Sequence, residues 1–177
     1  MRFCHGALRG LFFSLGIPDI SYMIRHATPD DALAIATLYH HTIKKINSRD
    51  YAPTQVKAWA GAAPDEDKWR ARQTNRTTFV DEHNGTIRGF AELEANGHIG
   101  AVYVHADCQR QRIASALLAE MEKEAVARGV TCLSTEASIT AQPFFAKHGF
   151  ETVEAQDVEY RGRIFRNYRM RKRWNCF

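Results

Sequence analysis

The sequence predicts a mixed α/β domain, and three observations carry that reading. Segments of alternating apolar residues and segments with helical spacing interleave along the chain, with no linker, repeat or low-complexity tract between them. Two Asn-Gly pairs, Asn84-Gly85 and Asn96-Gly97, separate alternating segments and mark tight hairpin turns. A further alternating segment, Gly100 to Val104, runs through a short polar turn into a long amphipathic stretch, which makes a strand-loop-helix unit. At 177 residues the chain is long enough for one domain with a full core.

The elements follow in order. Tyr22 to His26 alternates and reads as a first strand. Thr28-Pro29-Asp30-Asp31 is a helix start, with Thr as N-cap, Pro at the first position and acids in the first turn. Ile35, Leu38, Tyr39, Ile43 and Ile46 continue it at helical spacing. After a loop from Asn47 to Pro53, Thr54 to Ala60 and Asp65 to Gln73 read as short helices. Thr77 to Asp81, Thr86 to Glu94 and His98 to Val104 form an antiparallel meander through the two Asn-Gly turns. The long helix opens at Ile113 and stops at Gly129. Val130 to Thr135 is a strand, Thr140 to His148 a helix, and Phe150 to Glu154 and Ile164 to Met170 close the sheet. The order β-α-α-(α)-β-β-β-α-β-α-β-β belongs to one α/β layer fold.

Composition narrows the function. The formal charge of +4 mildly favours anionic small ligands. No basic-aromatic stripe points to nucleic acid, and no apolar span reaches membrane-crossing length. Cys4, Cys108, Cys132 and Cys176 include no C-x-x-C pair and read as free thiols in a reducing cytoplasm. The eight histidines lack metal-ligand spacing, so no metal is expected. Residues 1–22 are basic and partly apolar, without a clear cleavage pattern, and read as a poorly ordered N-terminal extension. The domain proper is expected over 23–173.

The loop Cys108 to Ser115 is where chemistry first shows. A turn between a strand and a helix N-terminus collects unpaired backbone N–H groups, and the helix dipole adds positive potential there. That combination suits a pyrophosphate, and Arg110 and Arg112 add formal charge. Gln109-x-x-Arg112-x-Ala114 resembles the Q/R-x-x-G-x-G/A signature of the GNAT superfamily of N-acetyltransferases, with Arg112 in place of the first glycine and Ala114 in place of the second. Ala141-Gln142-Pro143-Phe144-Phe145-Ala146-Lys147-His148-Gly149-Phe150 resembles that family's A-x-x-F/L-Y-x-k-x-G-F segment. The segment Tyr51 to Trp59 is similar to a Y…Q…AW element of one subgroup.

The resemblance implies a single GNAT-like domain: a mostly antiparallel central sheet with one splayed parallel strand pair and flanking helices. It implies acetyl-coenzyme A as cosubstrate and an amine of a small molecule or protein as acceptor. Cofactor contacts would come from Val102, Tyr103 and Val104 on the strand, from Gln109, Arg110, Gln111, Arg112, Ile113, Ala114 and Ser115 on the loop, and from Ser138, Phe144 and Phe145. One family branch places a Glu eleven residues before the signature Gln, which here is His98. An unbroken strand would put His98, Gly100, Val102 and Val104 on one face, and an imidazole with an ordinary pKa of about 6.5 can accept a proton near neutrality. Glu136, at the end of its strand, is the rival base. Phe145 replaces the tyrosine that often serves as general acid, and Tyr103 points to the other face. The acceptor should meet Lys44 to Trp69 and Gln156 to Arg163, and Tyr39, Tyr51, Trp59 and Tyr160 are aromatic candidates. A homodimer is compatible with this reading. The alternative is an acyl-coenzyme A sensor with little turnover, which Arg112 and Phe145 would favour.

Overall fold

Residues 22–174 are described by a computed structural model, so the N-terminal extension, apart from Tyr22, lies outside the described residues. A short strand β1 (Met23–His26) leads through a 3-10 turn at Pro29–Asp31 into α1 (Ala32–Lys45). Of the acids expected in this helix start, Asp31 does two jobs, while the Thr28 side chain makes no capping bond to the backbone. Asp31 Oδ2 accepts the Thr28 backbone N–H at 2.7 Å, and the Asp31 carboxylate takes the Arg25 guanidinium at 2.7 and 2.9 Å. Two short helices follow, α2 (Pro53–Ala60) and α3 (Glu66–Gln73). Asp65 caps α3 by accepting the Lys68 N–H at 3.0 Å.

The meander forms as the Asn-Gly turns predict. β2 (Thr77–His83), β3 (Thr86–Leu93) and β4 (Ile99–Val104) are antiparallel, and with β1 they make a sheet ordered β1-β2-β3-β4. The long helix α4 (Ile113–Ala127) returns the chain to β5 (Cys132–Ser138), then comes α5 (Gln142–Lys147) and the pair β6 (Glu151–Tyr160) and β7 (Arg163–Arg173). These last three strands make a second sheet, ordered β5-β7-β6. The two sheets meet at one point. His98 and Ser134 form an isolated parallel bridge at the head of β4, and the Ser134 N–H donates to Gly97 O at 3.1 Å. Beyond it β4 and β5 diverge, which is the splayed pair that the family resemblance implies.

Apolar packing fixes this arrangement from both faces. Ile113, Leu117, Leu118 and Met121 of α4 pack on Leu93, Ile99, Leu133 and Met170. On the other face Ile35, Ala36 and Leu38 of α1 and Trp69 of α3 pack on Val80, Phe90 and Ala101. Gly89 lets α4 approach this closely: a Cβ there would lie 2.7 Å from Ile113 Cγ2 and 3.2 Å from Leu117 Cδ1.

Two features depart from the sequence reading. First, β6 and β7 form one long hairpin turning at Arg161-Gly162, both with positive φ (50° and 70°). Strand was expected to stop at Glu154. The reason is compositional: β6 is exposed at almost every position, so it carries no alternation for a sequence pattern to detect. Its ladder with β7 supplies the order. Second, β4 is bulged. Leu93 pairs with Ile99 while Glu92 pairs with Ala101, which leaves Gly100 as an extra residue. Ile99 therefore packs with Val102 and Val104 on the α4 face, while Ala101 packs on the α1 face. The expected common face of His98, Gly100, Val102 and Val104 does not form, because the bulge shifts the alternation by one residue.

Candidate active site

The divergence of β4 and β5 opens a cleft of about 810 Å³. Its floor is Gly100 to Val104 on one side and Thr135 to Ser138 on the other, and the loop before α4 closes one end. That loop has unusual backbone. Arg110 and Arg112 both take left-handed conformations, at φ 61° and 60°. Arg112 thus stands in the geometry a glycine would adopt freely, and an L-residue there costs roughly 1–2 kcal/mol. The strain sits directly before the helix. The first helical bond of α4 is Ala116 N–H to Arg112 O at 3.0 Å, so the N–H groups of Ile113, Ala114 and Ser115 precede the ladder. All three residues line the cleft, as do Arg110 and Arg112. Free donors, a helix N-terminus and two arginines supply here the chemistry that suits an anion.

The remaining expected cofactor residues divide by what they already bind. Val102, Tyr103 and Val104 all line the cleft. The Val104 carbonyl accepts Thr42 Oγ1 at 3.1 Å and Gln109 Nε2 at 2.7 Å, so both of its lone pairs are engaged. Gln109 also donates to His105 O at 3.1 Å. Its amide shapes the loop, with its donors turned back onto the strand end. Gln111 does not line the cleft; its carbonyl accepts the Tyr22 hydroxyl at 2.9 Å. Ser138 lines the cleft and its Oγ accepts the Ala141 N–H at 3.1 Å, which holds the turn into α5. Ser115 Oγ is 3.0 Å from His148 Nε2, and burial pushes the His148 imidazole below its ordinary range, with Lys172 and Lys147 adding to the effect.

Phe144 and Phe145 both border the cleft, but differently. Phe144 is half-buried, with its ring 4.6 Å from that of His148. Phe145 is only 3% exposed and meets Phe144 and Phe150 edge-on at 5.2 and 5.0 Å. It is a core side chain whose rim reaches the cleft.

The two candidate bases are neighbours. His98 Nδ1 lies 3.2 Å from Ser134 Oγ, and its Nε2 lies 3.3 Å from Glu136 Oε2. Glu136 lines the cleft, whereas His98 stands behind it, at the point where the two sheets join. Glu136 also borders a second cavity of about 280 Å³. Tyr39, Tyr51, Trp59, Tyr160 and Phe165 are among the residues of its wall. Four of these were expected to meet the acceptor. Phe165 was missed, because its position in the last strand becomes a cavity wall only when the hairpin folds over α2. Burial pushes the Tyr39 phenol up to about 12 and raises Tyr103 well above the phenol range, so both hydroxyls are protonated near neutrality.

A half-open sheet, a strained loop at a helix N-terminus and a carboxylate between cleft and second cavity are the arrangement that the GNAT resemblance implies for this α/β protein. Residues 47–172 match the family model of the acetyltransferase (GNAT) domain. The uncharacterised N-acetyltransferase YafP of Escherichia coli K12 is 33% identical over 148 residues, spanning 84% of this chain and 93% of that protein. The crystal structure of a GCN5-related N-acetyltransferase from Rhodopseudomonas palustris superposes with a TM-score of 0.82 at 34% identity, covering 87% of this chain and 96% of that one. The fold is also that of the PaiA N-acetyltransferase of Thermoplasma acidophilum in complex with coenzyme A, at TM-score 0.71 and 18% identity over 88% of this chain and all of that one. The chain belongs to the GNAT superfamily of N-acetyltransferases.

Proposed function

We propose that this protein moves the acetyl group of acetyl-coenzyme A to a primary amine, and that the acceptor enters through the aromatic cavity beside Glu136. The observation that carries this reading is the position of Glu136, which borders both the cofactor cleft and the second cavity. Acetyl-coenzyme A supplies an activated acyl group as a thioester. Arg110, Arg112 and the N–H groups of Ile113 to Ser115 would hold its pyrophosphate. Backbone pairing to the pantetheine arm falls to Val102, since the Val104 carbonyl is occupied.

Glu136 and His98 act as a pair in this scheme. The ammonium acceptor loses its proton to the Glu136 carboxylate, and His98, held by Ser134 with its Nε2 3.3 Å from Oε2, keeps that carboxylate oriented. The amine nitrogen then forms a bond to the acetyl carbon, the carbon–sulfur bond breaks, the thiolate leaves with its electron pair, and the surplus proton on the nitrogen passes through solvent to the thiolate. Phe145 has no proton to offer it. An amine panel assayed by release of free thiol tests the reading. Turnover that falls in Glu136→Gln supports it. Acetyl-coenzyme A binding without thiol release by any amine would favour the sensor alternative, for which the buried, hydroxyl-free Phe145 speaks.

No helix among the described residues is long and apolar enough to cross a membrane. The free thiols Cys108 and Cys132 and the cosubstrate support a cytoplasmic site of action. A homodimer would form on the outer edge of β6, which among the described residues pairs only with β7 and exposes Val153 and Val158. Sedimentation across a concentration range tests it.

A further inference from the structure

The geometry points to an acceptor that is an aromatic primary amine carrying an anionic group at the end away from the nitrogen. The inference rests on the acetyl-transfer reading and sharpens it. The cavity of about 280 Å³ lies at the small end of ligand pockets, sized for one ring and its substituents rather than for a polymer. Its wall is aromatic on several sides. Tyr51, Trp59 and Phe165 meet pairwise at centroid distances of 5.2, 5.8 and 5.9 Å, all off-parallel, and Tyr160 continues the cluster 6.2 Å from Phe165. Rings already locked edge-on to one another leave flat faces for a further ring at little entropic cost.

Charge is distributed unevenly around this wall. Glu136, from the end of β5, is the one carboxylate lining the cavity among the described residues. Lys68 and Arg72 both come from α3. Lys68 is exposed and has no carboxylate within ion-pair distance among the described residues. Arg72 is oriented by Glu92, which accepts from Nε at 3.0 and 3.2 Å and also from Nη2. This leaves Arg72 Nη1 without a protein partner among the described residues. Arg166 also lines the cavity, but Asp157 holds it at 2.6 and 2.9 Å. The buried Asn167 Oδ1, on another lining residue, lacks a hydrogen-bond donor. An acceptor with its ammonium at Glu136, its ring among the aromatic side chains and an anion toward α3 satisfies this pattern. An aliphatic polyamine or a lysine-rich segment would set cations against Lys68 and Arg72.

The test compares para-(aminomethyl)benzoate with benzylamine, which lacks the anion, and with aminohexanoate, which lacks the ring. Two readouts are needed: thiol release with acetyl-coenzyme A, and calorimetric binding to the protein loaded with coenzyme A. The ring-and-anion compound should exceed aminohexanoate by about tenfold in kcat/KM and in affinity. It should exceed benzylamine by roughly fivefold, the scale of one partly exposed ion pair. Lys68→Glu should abolish the second preference while leaving coenzyme A affinity unchanged, and Lys68→Met should give an intermediate value. Equal or better use of benzylamine, aminohexanoate or a lysine-containing peptide overturns the inference and leaves acetyl transfer standing. Lys68-dependent binding without thiol release would instead uphold the inference and defeat the transfer reading. Absence of binding by all three compounds overturns the inference.

Discussion

His98 Nε2 and Glu136 Oε2 lie 3.3 Å apart, across the last point at which β4 and β5 are still paired. Residues 38 positions apart in sequence thus meet where the sheet divides, one behind the cleft and one on it. The two candidates for a single proton-accepting role stand within ion-pair distance of each other.

This pair gives unequal expectations for its members. Glu136→Gln keeps the shape and removes the base, so kcat should fall by about 10²–10⁴-fold, the usual worth of a positioned base. His98→Ala should cost less in kcat and should move the pH profile, because the carboxylate loses its orienting partner. A larger loss from His98→Ala than from Glu136→Gln, measured in the same assay, would make His98 the base.

Arg112 carries strain and charge at once. Arg112→Gly releases the left-handed penalty at φ 60° and should raise thermal stability by up to about 1 kcal/mol. The same change removes a cation from the pyrophosphate cradle, so acetyl-coenzyme A should bind several-fold more weakly. Reversing both Arg110 and Arg112 to Glu should weaken binding far more, since the loop then repels the anion. Calorimetry on folded variants reads both effects, and unchanged affinity in the double variant would remove the loop from the cofactor site.

Phe145→Tyr is a test of where the ring sits. The side chain is 3% exposed and packed against Phe144 and Phe150, yet borders the cleft. A hydroxyl that reaches the cleft should be tolerated, and kcat should rise if thiolate departure limits turnover. A hydroxyl turned into the core should cost about 1–3 kcal/mol. A melting curve separates the two outcomes before any kinetics are run.

Asp31 gives a pH signature that is independent of catalysis. The hydrogen bonds from Arg25 hold its carboxyl below the ordinary 3.8 against the opposing effect of burial, and the Thr28 N–H adds to them. A depressed carboxylate stabilises the fold fully above 3.8, and that contribution is lost as pH falls through the folded-state value. Wild type should therefore exceed Asp31→Asn in stability at neutral pH, with the gap closing in acid below 3.8. A gap that does not change with pH in chemical denaturation would mean that the carboxylate charge is not what matters there.

Much of this protein was legible along the chain. The Asn-Gly pairs marked the meander: Asn84 and Gly85 both take the positive φ of a two-residue hairpin, whereas in the longer turn between Glu94 and His98 only Gly97 does. The strand-loop-helix unit was readable because its alternation and helical spacing are local, and its donors are backbone atoms that any sequence provides. What the sequence could not determine was long-range. The bulge at Gly100 arises from how β4 registers against β3, and it moved His98 off the face that simple alternation assigned. The strand β6 shows no pattern because both of its faces are wet; pairing with β7 alone gives it order. The meeting of His98 with Glu136, and of Phe165 with Tyr51 and Trp59, follows from two sheets that join at one bridge and then diverge. Local chemistry is written in neighbouring residues, whereas a site shared by two sheets exists only once packing has chosen their register and separation.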